Sequence, residues 1–155
     1  MINVIYIGLL FNYLLKDDII DWADSQIINN NNDENYIIEL SFSSGKTEKE
    51  ILALLNNYMT DDYNSAIEFY FSMFNKLMDE GYYDWQKVVK EIVRFYENDF
   101  IKEDTEKIFY SILVDDYYLR NDGYSGIMKM PEALYSFLSK YKIKNSNYQE
   151  LPFSW

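Results

Sequence analysis

An all-α fold, a single-domain multi-helix bundle or stack of helical hairpins with about seven to eight helices, is predicted by three features of this 155-residue sequence. Apolar residues recur at three- and four-residue spacing along most of the chain. Helix-start and helix-stop residues bracket those stretches, and only one segment follows the two-residue period of a strand. A chain of this length ordinarily builds one core, so residues 1–155 are read as a single helical domain.

The first stretch, Met1 to Leu15, is uncharged and apolar. It has no basic leader and runs into Lys16-Asp17-Asp18 rather than small residues, so the expectation is a buried helix and not a targeting segment. It is also too short to span a membrane. Asp17 to Ile28 is the next predicted helix. In the segment that follows, Tyr36, Ile38, Leu40 and Phe42 alternate with Ile37, Glu39, Ser41 and Ser43, a strand period. A strand needs a partner, and the one other candidate, Val4 to Phe11, reads at least as well as a helix. A helix is therefore expected for Tyr36 to Ser43, with a strand as the alternative.

Thr47 and Glu50 form a capping-box pattern before Ile51, Leu54, Leu55 and Tyr58. From Asn64 to Glu80, Ile67, Tyr70, Phe71, Phe74, Leu77 and Met78 share one helical face. Ser65 and Glu68 form a second capping-box pattern at its start, and Gly81 is placed to end it in a left-handed turn. Asp84 caps a helix to about Asn98, buried through Trp85, Val88, Val89, Ile92, Phe95 and Tyr96, with Lys87 and Glu91 expected to pair outside. Asp104 can cap a helix carrying Ile108, Ile112 and Leu113. Pro131 suits the first turn of a last helix with Leu134, Phe137, Leu138 and Tyr141 on one face. Leu151, Pro152, Phe153 and Trp155 are apolar enough for the tail to dock back on the body.

Composition narrows function by exclusion. Asp and Glu number 26 against 14 Lys and Arg, a formal net charge of -12 that repels nucleic acid and anionic membrane and attracts basic surfaces. With 48% hydrophobic and 19% aromatic residues, that charge belongs to a folded chain rather than a disordered one. Residues 1–124 hold 24 acidic and 10 basic groups and residues 125–155 hold 2 and 4, so the acidic character lies in the earlier part. The absence of Cys removes disulfides, thiolate metal sites and cysteine nucleophiles, and suits a cytoplasmic setting. The absence of His removes Ser-His and Cys-His nucleophile systems and imidazole metal sites. Neighbouring carboxylates such as Asp61-Asp62 and Asp115-Asp116 point apart on a helix, and no calcium loop or phosphate-cradling glycine loop is present. No enzyme activity, metal or cofactor is expected.

Acid beside aromatic is the recurring pattern: Asp17-Asp18-Ile19-Ile20-Asp21-Trp22-Ala23-Asp24, Asp61-Asp62-Tyr63, Tyr82-Tyr83-Asp84-Trp85 and Asp115-Asp116-Tyr117-Tyr118. On a helix Asp17, Asp21 and Asp24 share a face, and their repulsion, a few tenths of a kcal/mol per pair, is relieved by a cationic partner. Tyr and Trp anchor protein interfaces because they cover large areas with few rotatable bonds. Read singly, the acids are also helix caps and solvated faces, and Trp22, Trp85 and Tyr117 core residues. Taken together, the pattern marks Asp17, Asp21, Asp24, Asp61, Asp62, Tyr82, Tyr83, Asp115, Asp116 and Tyr118 as candidate contacts to a basic protein, with Trp22 left to the core.

Ile20-Asp21-Trp22-Ala23-Asp24, with Ile27 and then Ile38-Glu39-Leu40-Ser41, resembles a segment of the small bacterial immunity proteins of polymorphic-toxin and contact-dependent inhibition systems. The resemblance covers about the first quarter of the chain. It implies a cytoplasmic antidote that binds a cognate toxin domain, often a basic nuclease. The Tyr-Tyr pairs flanked by Asp also look like the acidic, tyrosine-anchored binding helices of colicin-nuclease immunity proteins, although this chain is longer and Tyr82-Tyr83 is followed by Asp84 rather than proline. Three rival expectations stand beside it. One is a nucleic-acid mimic whose acids repeat at about the 7 Å phosphate pitch. Another is an enzyme with convergent carboxylates, and the last a homo-oligomeric structural protein.

Overall fold

The computed structural model describes residues 1–29, 34–101, 130–141 and 151–153. The described residues form seven α-helices and no strand, in agreement with the predicted all-α class. By internal contacts the chain divides into two compact units, Met1–Asp62 together with Asn145–Trp155, and Tyr63–Lys144. No described helix is long and apolar enough to cross a membrane.

In the first unit, α1 (Ile2–Leu10) is apolar on nearly every side and buries Val4, Ile5, Ile7 and Leu9. It is shorter than the predicted Met1 to Leu15 helix because the chain turns at Asn12, whose φ of 60° is a conformation that Asn tolerates better than most residues. The amides of Tyr13 and Leu14 then donate back to the Gly8 carbonyl, at 2.7 and 3.1 Å. Asn3, buried in α1, donates through Nδ2 to the carbonyls of Thr60 (3.1 Å) and Asp62 (2.8 Å), which ties the end of this unit to its beginning.

α2 (Lys16–Ile28) buries Ile19, Ile20, Trp22 and Ala23 and packs on α3 (Asn35–Ser41). The alternating segment is therefore helical. Tyr36, Ile37 and Leu40 face inward, and Ile38 and Phe42 face solvent. α4 (Glu48–Asn56) packs on α1 and α3 and begins with the predicted capping box. The Thr47 amide and hydroxyl both donate to Glu50 Oε2 at 2.8 Å, and the Glu50 amide donates to Thr47 Oγ1 at 3.3 Å. From the tail, Leu151 is buried and Phe153 pairs with Leu14 in an isolated antiparallel bridge, as the apolar tail residues predict.

The second unit is organised by rings. α5 (Asn64–Asp79) carries Phe69, Tyr70, Phe71 and Phe74 inward and packs on α6 (Trp85–Glu97) and α7 (Met130–Leu138). The Phe71 ring lies 6.1 Å from Phe95, 5.6 Å from Phe137 and 5.2 Å from Tyr141 between centroids, mostly edge to face, which is the favourable arrangement of aromatic quadrupoles. Gly81 ends α5 at φ 77°, as its position predicts, and Asp84 caps α6 by accepting from the Lys87 amide at 2.7 Å.

Three local expectations are corrected. α5 starts at Asn64 with Tyr63 at the cap and no side-chain cap bond, so Ser65 falls inside the first turn and the Ser65–Glu68 box does not form. Tyr63 instead packs on Phe100, at 5.2 Å. Lys87 does not pair with Glu91: its ammonium lies 3.5 Å above the Tyr83 ring, and Glu91, nearly buried, takes Arg94 at 2.7 Å. Tyr96 is exposed rather than core. The helix expected after Asp104 lies outside the described residues.

Two outcomes follow from these contacts. Phe71→Ala removes the ring at the centre of the second unit and should cost about 3–5 kcal/mol, read as a lower denaturant midpoint; a loss below about 1 kcal/mol would contradict the packing. The two Thr47 donors hold the Glu50 carboxyl below its ordinary value of 4.5. Its stabilising effect is therefore complete above 4.5 and lost as pH falls through the lowered value. Wild type should melt above Glu50→Gln at neutral pH, and the gap should close in acid; a gap independent of pH contradicts this.

Candidate protein-docking site

The acidic surplus is concentrated in the first unit. Its described residues up to Asp62 hold 10 Asp and Glu against 3 Lys, while the described residues from Tyr63 to Tyr141 hold 8 acids against 5 bases. There α2 carries four Asp and one Lys. Lys16 is turned away from most of them. Its ammonium donates to the carbonyls of Lys46 (2.9 Å) and Ser44 (3.2 Å) and reaches only Asp17, at 3.8 Å.

Helical spacing sorts the remaining acids by the face that Ile19, Ile20, Trp22 and Ala23 must bury. Asp17, Asp21, Ser25 and Ile28 run along the side opposite the core and are exposed. Asp24 is half-buried on the flank towards α3, where it accepts from the Ser41 hydroxyl. α3 and its C-cap also leave Ile38 and Phe42, four residues apart, in solvent, Phe42 with 79% of its surface exposed. Two packed helices thus expose both acids and apolar groups, the composition of a docking face with a charged margin.

The other flank of α2 lines a concavity of about 600 Å³ formed by Asp18, Asp21, Trp22, Ser25, Gln26, Asn29 and Pro152. Asp18 and Asp21 make no ion pair with a described residue. Trp22 is 8% exposed, and its buried indole Nε1 has no hydrogen-bond acceptor.

The remaining candidates do not gather around this surface. Asp61 and Asp62 are exposed after α4, and the Asp62 carbonyl receives Asn3. In the second unit Tyr82 is 72% exposed, whereas Tyr83 is buried to 9% under the Lys87 ammonium, which makes it a packing residue and not a surface anchor. After the turn at Gly81 one of the two adjacent rings is left in solvent and the other is buried, which the repeated Tyr-Tyr pattern conceals. Asp115, Asp116 and Tyr118 lie outside the described residues. Sequence reasoning missed Ile28, Ile38, Phe42 and the Trp22–Pro152 concavity. A helical projection of Asn35–Ser41 would have found the first exposed pair, since residues 38 and 42 fall opposite 36, 37 and 40. Among the described residues no group of three or more carboxylates is placed to hold a metal ion. No protein-family model, curated protein or solved structure matches the chain.

The placement of the two tyrosines is directly measurable. Tyr82→Ala should change stability by no more than about 0.5 kcal/mol, while Tyr83→Ala should cost more than about 2 kcal/mol in urea denaturation; equal effects would contradict their assigned positions.

Proposed function

We propose that the protein is a cytoplasmic, non-catalytic immunity protein that binds a basic toxin domain, a nuclease for preference, and blocks it by occupying its surface. The observation that carries this reading is the α2–α3 face. Asp17 and Asp21 on α2, and Ile38 and Phe42 on the packed α3 and its C-cap, all stand in solvent, and the only basic residue on α2 is held by backbone carbonyls. Carboxylates of this kind accelerate encounter with a cationic surface, and exposed apolar side chains supply the contact area that retains it. The apolar groups favour a protein partner over mimicry of nucleic acid, because a phosphate backbone has no counterpart for Phe42. The short likeness of Ile20 to Asp24 and Ile38 to Ser41 to immunity proteins falls on these same two helices.

Co-expression tests the role. If the reading frame preceding this one encodes a large secreted protein with a variable basic C-terminal domain, the present chain should restore growth to cells producing that domain, and no rescue ends the antidote reading. Binding kinetics test the surface. Asp17→Asn combined with Asp21→Asn should slow association by about tenfold at low salt and by much less at high salt, with dissociation little changed. An association rate insensitive to both salt and these substitutions removes electrostatic steering.

A further inference from the structure

We infer that residues 151–153 form a strap over the connection between α1 and α2, and that this strap opens and closes while the helices beneath it stay packed. The two units differ in how the sequence builds them. Tyr63–Lys144 is one unbroken stretch, whereas Met1–Asp62 is completed by Asn145–Trp155 from the far end of the chain. The strap's seat is the short connection that leaves α1 through the left-handed Asn12 and enters α2 at Lys16, where Phe153 bridges Leu14 as an isolated antiparallel pair. Pro152 adjoins α2 as well, lining a concavity with Asp18, Trp22 and Gln26.

The strap's hold is narrow. Leu151 is buried, but Pro152 and Phe153 are partly exposed. The bridge has no ladder to extend it, and the Phe153 amide donates to the Leu151 carbonyl, 3.0 Å away within the strap itself. A buried leucine, a partly covered ring and an isolated bridge thus oppose the conformational entropy regained by the released residues. That balance is far closer than the one for α2, which buries Ile19, Ile20, Trp22 and Ala23. Segments with so little buried apolar surface open at lower free energy than the core they rest on. The seat, by contrast, is fastened without the strap. The Tyr13 and Leu14 amides donate to the Gly8 carbonyl, and Lys16 secures the start of α2 to the carbonyls of Ser44 and Lys46. Opening therefore frees the Leu14 backbone and the Leu151 side chain without unravelling either helix.

Nuclear magnetic resonance on the full chain provides the test. Wild type should give a cross-strand Overhauser contact between Leu14 and Phe153. Its Phe153 amide should exchange with solvent at a rate nearly independent of urea below the unfolding transition, while the Leu9 and Ala23 amides, inside α1 and α2, accelerate steeply because they need a larger opening. In Leu151→Ala the Overhauser contact should vanish and Phe153 exchange should rise at least about tenfold, with Leu9 and Ala23 changed by less than about threefold. Absence of the contact in wild type, or a Phe153 amide with the same urea dependence as Leu9 and Ala23, overturns the strap. So does a variant in which all three amides accelerate together, since the tail would then be an integral part of the core. Should Leu151→Ala fail to fold, the urea dependence of the wild-type amides decides.

Discussion

Burial of one face of α2 against α3 is the contact on which the first unit's surface depends. Four carboxylates on a thirteen-residue helix disfavour that helix by repulsion at three- and four-residue spacing, and the N-terminal dipole compensates only for Asp17 and Asp18. Ile19, Ile20, Trp22 and Ala23 supply the compensation for the rest. Each large apolar side chain fully buried contributes about 1.5–3 kcal/mol, well above the few tenths lost per acidic pair. Because packing wins by this margin, the acids are displayed at fixed positions instead of melting the helix. The same residues fix the helical rotation, and so decide that Asp17 and Ile28 face outward while Asp18, Asp21 and Gln26 line the concavity.

The second unit solves a different problem with rings. Tyr70, Phe71, Phe74 and Phe95 are fully buried and contact one another within about 6.5 Å. Burial alone raises the Tyr70 hydroxyl well above its ordinary value of 10.0, so the folded unit keeps that phenol neutral where an unfolded chain would ionise it. This unit is also closer to charge balance, with Arg94 on Glu91 and Lys76 on Glu80. Aromatic richness therefore has two sources here. Most rings form core, and few of those described, Phe42 and Tyr82 foremost, are left to solvent.

Legibility in the sequence followed the range of the interactions concerned. Caps and stops act within a turn, so the Thr47–Glu50 box, the Asp84 cap and the Gly81 terminus could be read from adjacent residues. Ser65–Glu68 has the same letters yet fails, because the helix starts at Asn64 with Tyr63 at the cap, and Tyr63 packs on Phe100, far along the chain. The Tyr36 to Ser43 segment was helical despite its alternation, and treating it with the helical period would have exposed Ile38 and Phe42. For the candidate site, the shared face of Asp17 and Asp21 follows from spacing alone. The inward turn of Tyr83, the Ser41 bond to Asp24 and the concavity closed by Pro152 depend on tertiary placement. No local pattern encodes them.

Lys16 gives the first unit an unusual separation of duties. The helix's one cation is a fastener, gripping two carbonyls of the turn before α4, and of the ridge it borders it reaches only Asp17, at 3.8 Å. Acetylating that amine would therefore do two things at once: loosen the joint between α2 and the Ser44–Lys46 turn, and deepen the negative potential of the neighbouring ridge. The residue that looks like the obvious neutraliser of this surface is instead a mechanical part.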